Sequence, residues 1–526
     1  RSNWGPKALA PTLRRPHNDR RGGSGEGVTV ADEEPDVDGE PVSDVREPSV
    51  ADALIPLIAL AVLIAASLAL FGLDALDGPI QVGLLVCCAI AALIGMKNGH
   101  PYSTVQEAGQ GALTSITSAI FILLAVGALI GTWNLSGTIP TLVYYGMHML
   151  SPAIFYVASA VICGVVALSI GSSWTTAATV GVGLVGIAIV LGVSPAITAG
   201  AVISGAYLGD KTSPLSETTI LTSQMVGVDL YTHIRSQIWT SVPAFLLAAV
   251  GFTVAGFVGP APTHDATYQE IELTKLGDIF WITPLNLLPL LLLVFLSIRK
   301  APASLALLAS AIFAGIQATI LQRDVVNGFV HEIAGSANPV VGSIQAVWKT
   351  MANGFQMNSG IADIDRLLSR GGMDSMLLTI WLIIAAVTFG ALLEQLGLID
   401  RLITPMIARA RTQGRLYLTV FGFGFGLNVV AGDQYIALVL PSRMFRAEFA
   451  KRGLAPQNLS RLAADSATVT SPLVPWNSCG AFMGAVLGVP TLSYAVFAFF
   501  NWISPLLSVL YGFTGFKIVR THEGTA

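Results

Sequence analysis

Charge is what this sequence has least of. Asp, Glu, Lys and Arg make up 11% of its 526 residues, where soluble proteins carry about 25%. Hydrophobic residues make up 53%, and mean hydropathy is +0.68. So few surface-forming residues exclude a soluble enzyme. Net charge is −4 and no basic stripe is present, which excludes a nucleic-acid binder. Cysteine is scarce too. Cys87, Cys88, Cys163 and Cys479 sit in apolar surroundings without metal spacing, so they read as small core residues and not as a disulfide framework. Also missing are Gly-x-Ser-x-Gly, His-Glu-x-x-His and a paired-Asp protease motif, so no enzyme activity and no resident cofactor are expected. The apolar stretches are continuous and not alternating, which argues against a β-barrel and for an all-α polytopic membrane protein.

Residues 1–50 form a polar tail rich in Pro and Gly, acidic from Asp32 to Glu47. Too little apolar surface is available there to offset ordering entropy, so disorder is expected. No apolar run follows a short basic start, so a cleaved secretion signal is not expected. Leading helices occupy 51–114, with crossings at 53–71 and 80–96. Further crossings are expected at 115–133, 232–258, 278–298, 302–321, 375–395 and 490–515. Regions 195–228 and 462–488 are long enough to cross but carry Pro and polar residues midway, and are read as broken helices. Regions 158–192 and 416–442 have polar, Gly-rich centres and are read as re-entrant hairpins. The stretch 278–374 joins the halves, with 322–374 external and weakly apolar. Residues 396–412 suit an in-plane amphipathic helix, with a counterpart near 138–154. Basic residues at Lys97, Arg299–Lys300, Arg401–Arg415, Arg443–Arg461 and Lys517/Arg520 are expected in the cytoplasm, and the acidic loops 73–79 and 259–277 outside. Ten crossings and two hairpins satisfy this, with both termini inside a plasma-membrane protein.

The tetrapeptide Thr212-Ser213-Pro214-Leu215 recurs as Thr470-Ser471-Pro472-Leu473. Each copy lies in an apolar crossing, downstream of a polar hairpin centre. Repeat 1 is placed at 115–258 and repeat 2 at 375–518. The charge pattern runs 115–133 outward and 375–395 inward, so the two are expected to be inverted, as in many secondary transporters.

Ser-Pro in mid-membrane breaks a helix, because Pro lacks an N–H and its ring clashes with the preceding turn. The freed backbone groups cannot face lipid, where each costs several kcal/mol. They line a polar pocket or pack against protein, and a simple packing kink is the alternative. Unwound carbonyls and hydroxyls suit a hard cation, and half-helix N-termini suit an anion. Asp210 and Glu217 flank the first break, Asp465 precedes the second and Asp433 lies in the second hairpin. An ionised group at mid-bilayer costs at least about 2.5–3.5 kcal/mol, so a carboxylate there trades a proton for a cation or pairs with a base. Asp210, Asp433 and Asp465 are the candidate Na⁺ ligands. For Asp210 the alternative is an ion pair with Lys211, and Glu217 is equally suited to capping the second half-helix. Hydroxyls at Ser172, Ser173, Thr175, Thr212 and Ser213, with Asn428, Thr468, Thr470, Ser471 and Asn477 in the second half, complete the candidate ion or substrate site. Any single Ser or Thr among them could instead glue helices together.

Several of these stretches resemble the NhaC family of Na⁺/H⁺ antiporters. They are Gly171-Ser-Ser-Trp-Thr-Thr-Ala177, Gly205 to Thr219, Gly432-Asp-Gln-Tyr-Ile436, Asp465 to Asn477 and Tyr511 to Lys517. The likeness covers about 53–518. It implies an ion-transporter fold with inverted repeats, paired hairpins and broken helices. It also implies a homodimer whose transport domain moves past a scaffold, and exchange of Na⁺ for H⁺. Glu217 stands where the resemblance leads one to expect Asp. Because the family includes Na⁺-coupled antiporters of small organic acids, malate/lactate-type exchange is the alternative. The expected partners are the bilayer, a small cation and a proton, with a small carboxylate under the alternative.

Overall fold

A computed structural model describes residues 45–258, 263–264 and 266–521. The disorder expected of the tail falls on residues that lie, up to Asp44, outside this range. Helix α1 (Val50–Phe71) is capped by Ser49, whose hydroxyl accepts from Asp52 N while the Asp52 carboxylate accepts from Ser49 N. Lys97, the last residue of α2 (Pro79–Lys97), reaches Asp52 at 2.7 Å and sets the two helices antiparallel. Next come α3 (Tyr102–Leu135), which starts well before the expected 115, and the short α4 (Thr138–Met149). Then follow α5 (Phe155–Ile170), α6 (Ser173–Thr176), α7 (Val182–Val190), α8 (Pro195–Thr212), α9 (Glu217–Val226) and α10 (Leu230–Val258). The middle of the chain holds α11 (Ala266–Ile279), α12 (Leu288–Ile298), α13 (Ala303–Leu321), α14 (Arg323–Glu332), α15 (Pro339–Asn353) and α16 (Ala362–Leu368). The second half comprises α17 (Leu377–Gln395), α18 (Leu398–Arg409), α19 (Gln413–Val430), α20 (Gln434–Met444), α21 (Arg446–Lys451), α22 (Pro456–Ala463), α23 (Ser478–Leu487), α24 (Thr491–Ala495) and α25 (Phe499–Thr514).

Among the described residues, eight helices are long and apolar enough to cross a membrane, or nine if a bent pair counts as one. The chain is therefore a multi-pass membrane protein. Exposed Leu246, Val250 and Val254 on α10, and Ile55, Ile58 and Val62 on α1, form the apolar faces that lipid would cover. The stretch Ser173–Val190 differs. Its apolar window is 89% buried, against 22% for α10, so protein and not lipid surrounds it.

Two expected crossings are interrupted. Over 278–298 the chain bends by 87° between α11 and a 3-10 turn at Pro284–Leu287. The residue before a proline is pushed out of the helical region, and Thr283 is extended, at φ −147° and ψ 148°. Asn286 and Gln322 side-chain amides satisfy the freed Trp281 carbonyl at 2.8 and 3.0 Å. Over 490–515 the helix is broken between α24 and α25.

Helix α8 packs along α5 on a seam of glycines. A Cβ at Gly205 would collide with the Ala160 carbonyl, and one at Gly209 with the Gly164 carbonyl. Small residues let the two backbones touch, and this contact sets the height of the residues at the end of α8. Gly205→Ala is expected to lower the melting temperature of the detergent-purified protein, at an overpacking cost of about 1–3 kcal/mol. Gly109→Ala, which meets nothing within 4 Å in α3, should leave the melting temperature the same or slightly higher, since Ala is about 0.5–1 kcal/mol better than Gly inside a helix.

Candidate functional site

Four interruptions of regular helix meet in the interior. At the first, Gly171 takes a left-handed φ of +79° that ends α5, and a Cβ there would meet Leu215 at 2.7 Å. Ser172 then caps α6, accepting from Thr175 N at 3.2 Å and from the Thr175 hydroxyl at 3.1 Å. A π-helical turn at Ala177–Gly181 follows. At the second, α8 stops at Thr212 and α9 starts at Glu217, with Ser216 capping by accepting from Thr219 N at 3.3 Å. At the third, Gly432 (φ +63°) ends the α19 side, and Asp433 caps α20 by accepting from Tyr435 N at 2.7 Å and Ile436 N at 3.0 Å. At the fourth, a π-helical turn at Ala464–Thr468 and a 3-10 turn at Ser471–Leu473 separate α22 from α23.

Named contacts join these four. Ser173 donates to the Asp210 carboxylate from its hydroxyl at 2.7 Å and its N–H at 3.3 Å. The Thr219 hydroxyl donates to the Asp210 and Lys211 carbonyls left free by the break. Lys211 is ion-paired with Asp465 of the other half, both side chains being at most 1% exposed. The Ser504 hydroxyl donates to the same Asp465 oxygen at 2.5 Å, and Lys211 Nζ lies 3.1 Å from Ser504 Oγ and 3.4 Å from Thr240 Oγ1. The Tyr435 hydroxyl donates to Glu217 at 3.2 Å, which ties the first broken helix to the second hairpin tip. Ser471 donates to Gln434 Oε1 at 3.2 Å, and Ser478 N to the Gly432 carbonyl at 2.8 Å. Trp174 stacks on Phe482 with centroids 4.0 Å apart, so the first tip also rests on α23.

The candidate residues separate by what they touch. Asp210 and Asp433 are buried, at 6% and 4% exposed, and among the described residues no basic side chain comes within ion-pair distance of either. Asp465 has its lysine, while its Oδ2 is buried with no hydrogen-bond partner among the described residues, as is Thr468 Oγ1. Glu217 is exposed. Asn428, Thr470 and Asn477 bond chiefly to one another and to backbone: Asn428 donates to the Ala467 carbonyl at 2.7 Å and Thr470 Oγ1 at 2.9 Å, and Asn477 donates to Asn428 Oδ1 at 3.1 Å while capping α23. Thr212 and Ser213 donate to the Leu208 and Leu168 carbonyls, which ties the break to α8 and α5.

Sequence reasoning offered Lys211 as a partner for its neighbour Asp210, whereas the partner is Asp465 of the other half. The signal available was a lysine inside an apolar crossing, which must find an acid. Ser504 was not singled out, because a lone hydroxyl in an apolar helix carries no mark of what it faces, and Gln434 and Tyr435 fell within the quoted Gly432–Ile436 motif without being given a role.

Removing one member of a buried ion pair costs about 3–5 kcal/mol, whereas replacing both with apolar residues is often neutral. Lys211→Met and Asp465→Leu are each expected to lower the melting temperature strongly, and the double variant to recover most of it. A double-mutant cycle on purified protein measures this coupling.

The family model of the Na⁺/H⁺ antiporter family matches residues 49–257 and 205–516. The Na⁺/H⁺ antiporter NhaC of Alkalihalophilus pseudofirmus is 37% identical over 84% of this chain and 92% of its own length. The malate-2H⁺/Na⁺-lactate antiporter of Bacillus subtilis is 33% identical over 92% of this chain and 98% of its own. The arginine/ornithine antiporter ArcD of Halobacterium salinarum is 33% identical over 90% and 93%. With the family model matched from end to end of the helical region, and relatives at this identity aligned over nearly their whole length, the chain belongs to the Na⁺/H⁺ antiporter family.

Proposed function

We propose that this protein is a secondary active transporter of the cell membrane that exchanges Na⁺ for H⁺, with Asp210 and Asp433 as the exchanging carboxylates. The observation that carries this reading is that both are buried, both lie at helix interruptions, and both are held by neutral donors only. A buried carboxylate without a base needs a compensating positive charge. Either a proton or a small cation supplies it, and the two exclude each other at one carboxylate. That competition couples the two fluxes without further machinery.

Asp465 acts differently on this reading. Lys211 already neutralises it, so the pair joins the two halves, and a cation reaches Asp465 only when Lys211 withdraws. The tips at Gly171–Ser172 and Ala431–Gly432 are read as the re-entrant ends of two inverted repeats. The rest of the reading is elevator-type motion of the unit around the breaks, a homodimeric assembly and cytoplasmic termini.

The second reading is Na⁺-coupled exchange of a small carboxylate or amino acid, as the names of two relatives describe. One observation favours it. The N-terminus of α6 already receives a carboxylate, that of Asp210, from Ser173 N–H and Oγ–H. A substrate carboxylate would suit the same donors when Asp210 is neutralised.

In proteoliposomes with an imposed Na⁺ gradient, Asp210→Asn and Asp433→Asn are each expected to reduce H⁺ movement to background while the proteins stay monodisperse. Glu217→Gln, at an exposed position, should keep part of it. Full exchange in Asp210→Asn and Asp433→Asn would overturn the assignment. Uptake of labelled malate, lactate or arginine that is required for Na⁺ flux would select the second reading.

A further inference from the structure

Away from the helix breaks, His264, Glu272 and Asp363 converge from three segments. His264 lies in the approach to α11, Glu272 on α11 and Asp363 in the first turn of α16. One ligand atom from each lies within 4.8 Å of the other two. A point central to three such atoms lies at most about 2.8 Å from each, so slight side-chain shifts bring all three to metal-bond length. The His264 ring sits between the carboxylates, Nε2 3.4 Å from Asp363 and Nδ1 3.8 Å from Glu272. Nδ1 also lies 3.2 Å from the Val190 carbonyl, which can only accept. That contact favours hydrogen on Nδ1 and leaves the Nε2 lone pair facing a carboxylate, as in metal-binding histidines oriented by a backbone carbonyl.

Glu272 is the independent observation that points to a ligand here. It is fully buried, and neither carboxylate oxygen has a hydrogen-bond partner among the described residues. Leaving a buried carboxylate unsatisfied is costly, and such groups are ordinarily paired or coordinate metals. Beside the cluster lies a cavity of about 270 Å³ lined by His264, Asp363, Gly192, Ser194, Tyr156 and Arg366, which gives a hydrated ion a way in.

We propose that His264, Glu272 and Asp363 form a site for a divalent transition-metal ion. One imidazole and two carboxylates match the ligand preferences of Zn²⁺ and Mn²⁺, with water completing the coordination. The site also has a mechanical consequence. His264 and its neighbours hold the turn between α7 and α8: Thr263 N donates to the Gly192 carbonyl at 2.9 Å, and the Gln269 amide to the Leu191 carbonyl at 3.3 Å. A bound ion would therefore clamp that turn, which begins the helix carrying Asp210, to α11 and α16.

The test is titration of the full-length, chelator-stripped protein in detergent with ZnCl₂ by calorimetry, with melting curves recorded alongside. One saturable event per chain and a Zn²⁺-dependent rise in melting temperature are expected. Glu272→Gln, His264→Gln and Asp363→Asn should each weaken binding about tenfold or more and remove that rise, while His148→Gln should not. Asp363 is partly exposed, at 29%, so its variant is informative even where Glu272→Gln fails to fold. Equal Zn²⁺ affinity in the wild type and these variants, or no saturable binding in the wild type, would overturn the proposal.

Discussion

The ion pair between Lys211 and Asp465 is the contact on which the interior depends. It crosses from the end of α8 to the π-helical turn after α22, and both side chains are buried. Neither group could stay charged there alone, because desolvation is repaid only when partner and hydrogen bonds are both present. Ser504 and Thr240 supply part of that hydrogen bonding. Lys211 also sits in the last turn of α8, where the helix presents its negative end. One lysine thus compensates an acid of the other half and a helix terminus of its own.

Around that pair, the helix breaks satisfy one another. A break in a membrane helix frees carbonyls and N–H groups that lipid cannot bond. Here side chains from across the same break or from other interrupted segments meet many of those demands. Thr219 takes the Asp210 and Lys211 carbonyls, Asn428 takes the Ala467 carbonyl, Asn501 takes that of Val469 and Tyr494 that of Pro472. The breaks can exist because they are gathered in one place. Ser173–Val190 is accordingly enclosed by protein while α1 and α10 keep wide apolar exposure.

How much of this was legible in the sequence follows from the kind of signal each element leaves. Apolar runs mark α1, α2, α13 and α17 directly. The breaks were legible because Pro214, Pro472 and the Gly-flanked tips are local instructions that the backbone cannot ignore. The start of α3 was not, because hydropathy follows the membrane while the helix continues through Ser, Thr and Gln past its edge. The bend at Thr283-Pro284 was missed because Leu-rich flanks outweighed one proline in the hydropathy reading. Asp210, Asp433 and Asp465 announced themselves as charges in apolar surroundings. Which of them meets a lysine is a fact of tertiary packing, and adjacency in the chain pointed Lys211 at the wrong one. The cluster of His264, Glu272 and Asp363 left no motif at all, since its members are scattered over a hundred residues in weakly apolar segments.

The difference between the three buried acids bears on how an exchanger can work. A carboxylate held by an ammonium, as Asp465 is, must lose an ion pair before it can take a metal cation. One held by a hydroxyl, as Asp210 is by Ser173, need lose only the direction of a proton. A hydroxyl donates through its hydrogen and accepts through two lone pairs. Ser173 Oγ can therefore point its hydrogen at an ionised Asp210, or turn it away and ligate a cation beside the same carboxylate. The Tyr435 and Ile436 amides that cap onto Asp433 have no such second role, since an N–H can only donate, but the Ser478 hydroxyl beside Asp433 has the same option as Ser173. On the proposed reading, then, the three acids are graded by what must be given up for Na⁺ to bind. Asp210 and Asp433, each backed by a hydroxyl and free of an ammonium, are the ones where ion and proton can replace each other with less rearrangement than at Asp465.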